Sequence, residues 1–76
     1  MSEDKVKIDL HGLTHGEALN CIIRKIEEYR ETETQLLFIT GNSDEMQSQV
    51  KNMAETYGLK TTSLIRTEIS VWTDGS

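Results

Sequence analysis

Asp9 and His11 are the first residues in this chain whose types and spacing suit chemistry. They stand two apart in a segment with strand-like alternation, so they share a face. A neutral imidazole can act as general base or acid near pH 7, and a nearby carboxylate can orient it or hold a metal ion. On RNA such a histidine can activate the ribose 2′-hydroxyl without a metal. On DNA, attack by water more often calls for a metal ion. The same pair can do no more than fix a strand-to-helix turn, and spacing alone favours that plainer reading.

Thr40-Gly41-Asn42-Ser43 is the second candidate. Gly41 permits close approach, and free N–H groups at a helix N-terminus bind phosphate. Thr40 and Ser43 add hydroxyl donors. One glycine is a weak phosphate signal, and an ordinary capped turn explains the segment as well. Asp44 and Glu45 follow directly and repel phosphate unless a cation intervenes. With Asp9 and His11 they would make a set for a hard divalent cation, Mg²⁺ or Mn²⁺. Acids in a first helical turn need no metal to explain them, so no cofactor is certain.

The remaining candidates are isolated. His15 lies four after His11, but one ends a strand and the other starts a helix, so His15 reads as surface. Cys21 falls in a helical stripe with no basic residue adjoining it, the setting of a structural thiol. Lys7, Arg66 and Lys60 are placed to form a small local basic edge. Trp72 has the opposite parity to Ile69 and Val71, which puts it on the open face of a sheet. There it can stack on a base, or cover the face as a minor core or dimer contact; cover is the favoured reading.

These residues need elements to position them. Lys5 to Leu10 alternates Val6, Ile8 and Leu10 with Lys7 and Asp9, the period of a half-buried strand. Thr14-His15-Gly16-Glu17 fits a capping box that opens a helix running to about Glu31. Ala18, Leu19, Ile22, Ile23, Ile26 and Tyr29 form its apolar stripe. Gln35 to Thr40 is a second strand, apolar enough to be central. Asn42 or Ser43 caps a second helix with Met46, Val50, Met53, Ala54 and Tyr57 inward, and Gly58 ends it. Leu59 to Thr73 reads as two short strands joined near Leu64 to Thr67. The expectation is βαβαββ, an α/β two-layer sandwich with a four-stranded mixed sheet and both helices on one face. Residues 5–73 make the single domain, with flexible ends at 1–4 and 74–76.

Composition bounds the function. With 76 residues there is room for one domain and no deep enclosed site. Thirteen acids against eight bases give a net charge of −5, which argues against coating nucleic acid by bulk electrostatics. No apolar run approaches the ~20 residues of a membrane span, no signal peptide is readable, and one cysteine suits a reducing, cytoplasmic compartment.

Ile8-Asp9-Leu10-His11-Gly12, followed by Leu13-Thr14 and a helix, resembles the Leu-Asp-Leu-His-Gly opening of the Smr domain, named for small MutS-related proteins. Thr40-Gly41-Asn42-Ser43 resembles that family's Thr/His-Gly-x-Gly motif. Length and element order agree over roughly residues 5 to 73. The resemblance implies a domain acting on DNA or RNA, as a nicking endonuclease or RNase. It implies Asp9 and His11 as catalytic residues, and Lys7, Gly12, Thr40, Gly41, Asn42, Ser43 and Arg66 as nucleic-acid contacts. Ser43 stands where the family has a second glycine, and Ile65-Arg66-Thr67-Glu68 replaces a glycine-containing loop. These departures and the acidity motivate the alternative, a non-catalytic module binding nucleic acid or protein. A larger protein or ribonucleoprotein would then be its partner.

Overall fold

The computed structural model describes residues 4–63 and 65–74. The elements are β1 (Asp4–Asp9), α1 (His15–Tyr29), β2 (Glu33–Ile39), α2 (Asp44–Thr56), β3 (Lys60–Thr62) and β4 (Glu68–Asp74). This is the expected βαβαββ order. Asp4 and Asp74, expected in flexible ends, belong instead to strands β1 and β4. Residues 1–3 and 75–76, and Leu64 of the expected last turn, lie outside the described residues.

The sheet order is β1-β2-β4-β3. β1 and β2 are parallel, as a helical crossover requires. β4 runs antiparallel to both β2 and β3 and is inserted between them. The residues explain this placement. β4 brings Ile69 and Val71, both fully buried, to the centre. β3 has three residues, all exposed, and suits an edge.

Ile8, Phe38 and Ile69 stand opposite one another across three strands, so they point to one face. They form one core with Ala18, Ile22 and Ile26 of α1 and Met46, Val50 and Ala54 of α2. Both helices therefore cover that face and leave the other open. Leu37 and Ile39 of β2, on the open face, are half-buried, so this central strand is covered on one side more than the other.

Local chemistry sets the element ends. Thr14 Oγ1 accepts from Glu17 N–H at 3.2 Å, and Glu17 Oε1 accepts from Thr14 N–H at 3.0 Å, completing the capping box. Thr14→Ala should cost about 1 kcal/mol, read as a lowered urea midpoint with unchanged slope. α1 ends at Tyr29, short of Glu31, because Thr32 N–H and Oγ1–H both donate to the Tyr29 carbonyl. β2 begins at Glu33 rather than Gln35. The buried Thr73 hydroxyl, within 2.9 Å of the Thr32 and Thr34 carbonyls, accepts from Thr34 N–H and ties the strand start to β4. Of the two expected caps for α2, Ser43 is the one used, its Oγ accepting from Met46 N–H at 3.2 Å. Gly58 and Leu59 N–H groups close the helix end on the Glu55 and Ala54 carbonyls.

One polar tie joins the helix ends. Tyr57 donates to Glu27 Oε2 at 2.5 Å, and the Arg30 guanidinium lies 5.5 Å from the Tyr57 ring centre. The bond to Glu27 is the main reason the Tyr57 hydroxyl is held above the usual tyrosine range, with burial and the Glu27 charge adding and Arg30 opposing. A raised folded value means that this tie contributes fully below the unfolded value of about 10 and is lost as pH rises from there through the higher folded value. Absorbance titration should show a late tyrosinate component, and Tyr57→Phe should remove it.

Candidate functional site

The site is built where β1 and β2 end side by side. Leu10 is fully buried, and its N–H donates to the Ile39 carbonyl at 2.9 Å, which anchors the chain as it leaves β1. Asp9 Oδ1 then accepts from the backbone N–H of His11 at 2.9 Å. Leu13 N–H closes back on the Leu10 carbonyl at 3.1 Å. Gly12, at φ +89°, takes the left-handed conformation that this tight return needs. The result is an Asx-type turn that holds His11 exposed at its tip. The bond made by Asp9 goes to the backbone amide of His11 rather than to its ring, so Asp9 shapes the turn.

The second turn lies against the first. Gly41 has φ +67°, and a Cβ placed there would sit 3.8 Å from His11 Cδ2. The two motifs are therefore neighbours, as parallel strand ends require.

The donors expected of Thr40 and Gly41 are not free. Both backbone N–H groups donate to one acceptor, the Thr67 carbonyl, at 2.8 and 3.2 Å. Two residues just after β2 thus oppose one just before β4, a bulge-like pairing beyond the end of the ladder. Thr40 itself is 3% exposed, and its hydroxyl lies 3.2 Å from the Thr67 carbonyl and 3.1 Å from that of Gly41. The donors expected to hold phosphate are in this way engaged by Thr67, the residue before β4, and by the Gly41 carbonyl. The physical reason is the insertion of β4 beside β2, which no local pattern announces.

Asn42 and Arg66 meet in a different place. With Asp44 and Gln47 they line a polar cleft of about 400 Å³ at the start of α2. Gln47 makes this possible. Its Nε2 donates to the Gly41 carbonyl at 3.3 Å and also to the Arg66 carbonyl, tying the last turn to the second motif. Gln47 carried no signal in the sequence beyond being a polar residue on a helix.

The expected basic edge is divided. Lys7 lies on β1 and Lys60 on β3, and these are the two opposite edges of the sheet. Insertion of β4 between β2 and β3 carries Lys60 away. Nor do Asp9, His11, Asp44 and Glu45 gather for a divalent cation. Glu45 instead faces His15, whose Nε2 lies 3.8 Å from Glu45 Oε1, and Asp44 borders the Arg66 cleft. Among the described residues, no three of His, Cys, Asp and Glu converge as a metal site would need. These residues therefore form no all-protein cage for Mg²⁺ or Mn²⁺. His15 is exposed, as expected, and Cys21 is half-buried against the core. Among the described residues, no helix is long and apolar enough to cross a membrane.

No family model, no curated protein and no solved structure matches this chain.

Proposed function

We propose that this chain is a Smr-like domain acting on nucleic acid at the joint end of β1 and β2. The observation that supports this reading is the proximity of the exposed His11 to Gly41, which brings two separate motifs together at one sheet end. His11 is the proton-transfer residue. Asp9 is a positioning residue, acting through the turn that presents His11. Gly12 and Ser43 supply contacts from the two turns, Lys7 from β1, and Asn42 and Arg66 from the separate cleft at the start of α2.

The chemistry these residues can perform without a metal is RNA transesterification. His11 takes the proton of a ribose 2′-hydroxyl, whose oxygen attacks the adjacent phosphorus. The bond to the 5′-oxygen breaks, and that oxygen leaves with a proton from water or from the imidazolium. The products are a 2′,3′-cyclic phosphate and a 5′-hydroxyl end. A DNA nick by water is the other outcome the family resemblance implies. The test is cleavage of structured RNA and of supercoiled plasmid, each with and without Mg²⁺ or Mn²⁺, by wild type and His11→Ala. Equal activity in the two proteins ends the catalytic claim.

A second reading is favoured by one observation. The Asp9 carboxylate and the Thr40 and Gly41 donors are engaged within the protein. This suits a module that binds without cutting, carried to its target by a larger protein or ribonucleoprotein. Titration with single-stranded, duplex and branched nucleic acids at two salt concentrations separates it from a protein-only partner. A cytoplasmic location belongs to the same proposal, supported by the unpaired thiol of Cys21.

A further inference from the structure

Strand register lines up four side chains across the open face of the sheet. Lys5 pairs with Gln35, Gln35 with Trp72, and Trp72 with Lys60. Paired residues share a face and stand side by side. One transverse row thus reads cation, amide, aromatic, cation from the β1 edge to the β3 edge. With strands about 4.8 Å apart, three spacings separate the lysine backbones by about 14 Å.

The row has the surface that an unpaired strand needs. Trp72 is 36% exposed and Ile65 is 52% exposed, and these are the exposed large apolar side chains among the described residues. Ile65 borders a hollow of about 240 Å³ whose other walls are Lys5, Gln35, Leu37, Glu68 and Ser70. Gln35 Nε2 donates to Ser70 Oγ at 3.0 Å, which steadies the amide. The row contains no acid. The acids that share this face's register positions, Asp9, Glu33, Glu68 and Asp74, fall in other rows. Much of the excess negative charge lies on the helices, where Glu17, Glu27, Glu28, Asp44, Glu45 and Glu55 outnumber Arg24, Lys25 and Lys51.

We propose that this face binds single-stranded nucleic acid along the row Lys5–Gln35–Trp72–Lys60. A base stacks on the exposed indole, Gln35 meets a base edge, and the two lysines hold phosphates at either side. A duplex keeps its bases stacked on one another and offers none to Trp72, so the row selects unpaired strand. The inference rests on the nucleic-acid reading above and specifies its substrate as single-stranded.

Trp72 is the single tryptophan of the chain, so its emission reports the site directly. The probes are a fluorescein-labelled twelve-nucleotide oligo(dT), the matching oligo(U) and a blunt twelve-base-pair duplex, followed by anisotropy and by indole emission. Both single strands should bind and quench Trp72, with the duplex at least tenfold weaker. A fourfold rise in salt should lower single-strand affinity about sevenfold, the response of two phosphate contacts. Lys5→Gln with Lys60→Gln should remove most of that response. Trp72→Ala should weaken binding by about fivefold to 150-fold, as loss of one stacked base does. Far-UV circular dichroism checks that the variants are folded, and the lysine pair serves if Trp72→Ala is not.

If the strands bind but Trp72 is unquenched and the lysine pair binds like wild type, the row is refuted and the nucleic-acid reading stands. Duplex binding as tight as single-strand binding likewise refutes the row. If no probe shifts the anisotropy at low salt, both fall.

Discussion

Phe38→Ala should destabilise the domain by about 3–5 kcal/mol. Phe38 is 0% exposed and heads the fully buried side chains by volume. It sits on β2, which is hydrogen-bonded on both sides, between Ile8 of β1 and Ile69 of β4. Truncation removes the ring's transfer free energy and leaves a cavity that two flanking strands and two helices cannot all close upon. Domains of this length have a total stability of about 4–11 kcal/mol. The loss is therefore between about a quarter of that stability and all of it. Chemical denaturation followed by circular dichroism should show a sharply lower midpoint or no folded baseline. Phe38→Leu, which keeps much of the volume, should cost less than half as much. A midpoint unchanged in Phe38→Ala would mean that the core is not centred on this strand.

The second large effect is on rate. If the domain cleaves RNA, His11→Ala should slow cleavage about 10²- to 10⁴-fold, the usual contribution of a positioned proton-transfer group. Stability should stay within about 0.5 kcal/mol of wild type, because His11 is exposed and its side chain supports no core residue. Asp9 gives the informative contrast. Its carboxylate oxygen accepts the His11 N–H, and an asparagine oxygen can do the same. Asp9→Asn should therefore retain most of the activity, whereas Asp9→Ala should lose both the turn and the rate. Equal damage from Asp9→Asn and His11→Ala would give Asp9 a direct chemical part in place of a positioning one.

Much of the scaffold was legible in the residues. The alternation of Val6, Ile8 and Leu10 set the inward face of β1, and Ile69 and Val71 did the same for β4. Thr14 and Glu17 marked the start of α1. These are local signals, carried by groups within a few residues of one another, and tertiary packing had no reason to override them. The juxtaposition of His11 with Gly41 also followed, because a right-handed crossover puts parallel strand ends together. The free donors of Thr40 and Gly41 did not follow. Whether a backbone N–H is free depends on what lies beside it, and that neighbour, Thr67, is far away in sequence. The same holds for Gln47, whose role exists only because the last turn folds back upon α2.

By itself, then, the sequence determined the kind and order of the elements, their inward faces, their caps, and the meeting of two motifs at one sheet end. The tertiary structure decided where β4 goes. Periodicity states which face of a strand is buried but not which strand lies beside it, because pairing is settled by burial and hydrogen bonding between distant segments. Placing β4 between β2 and β3 did three things at once. It engaged the donors of the second motif, it moved Lys60 to the edge opposite Lys7, and it set Trp72 in line with Lys5, Gln35 and Lys60 across the open face.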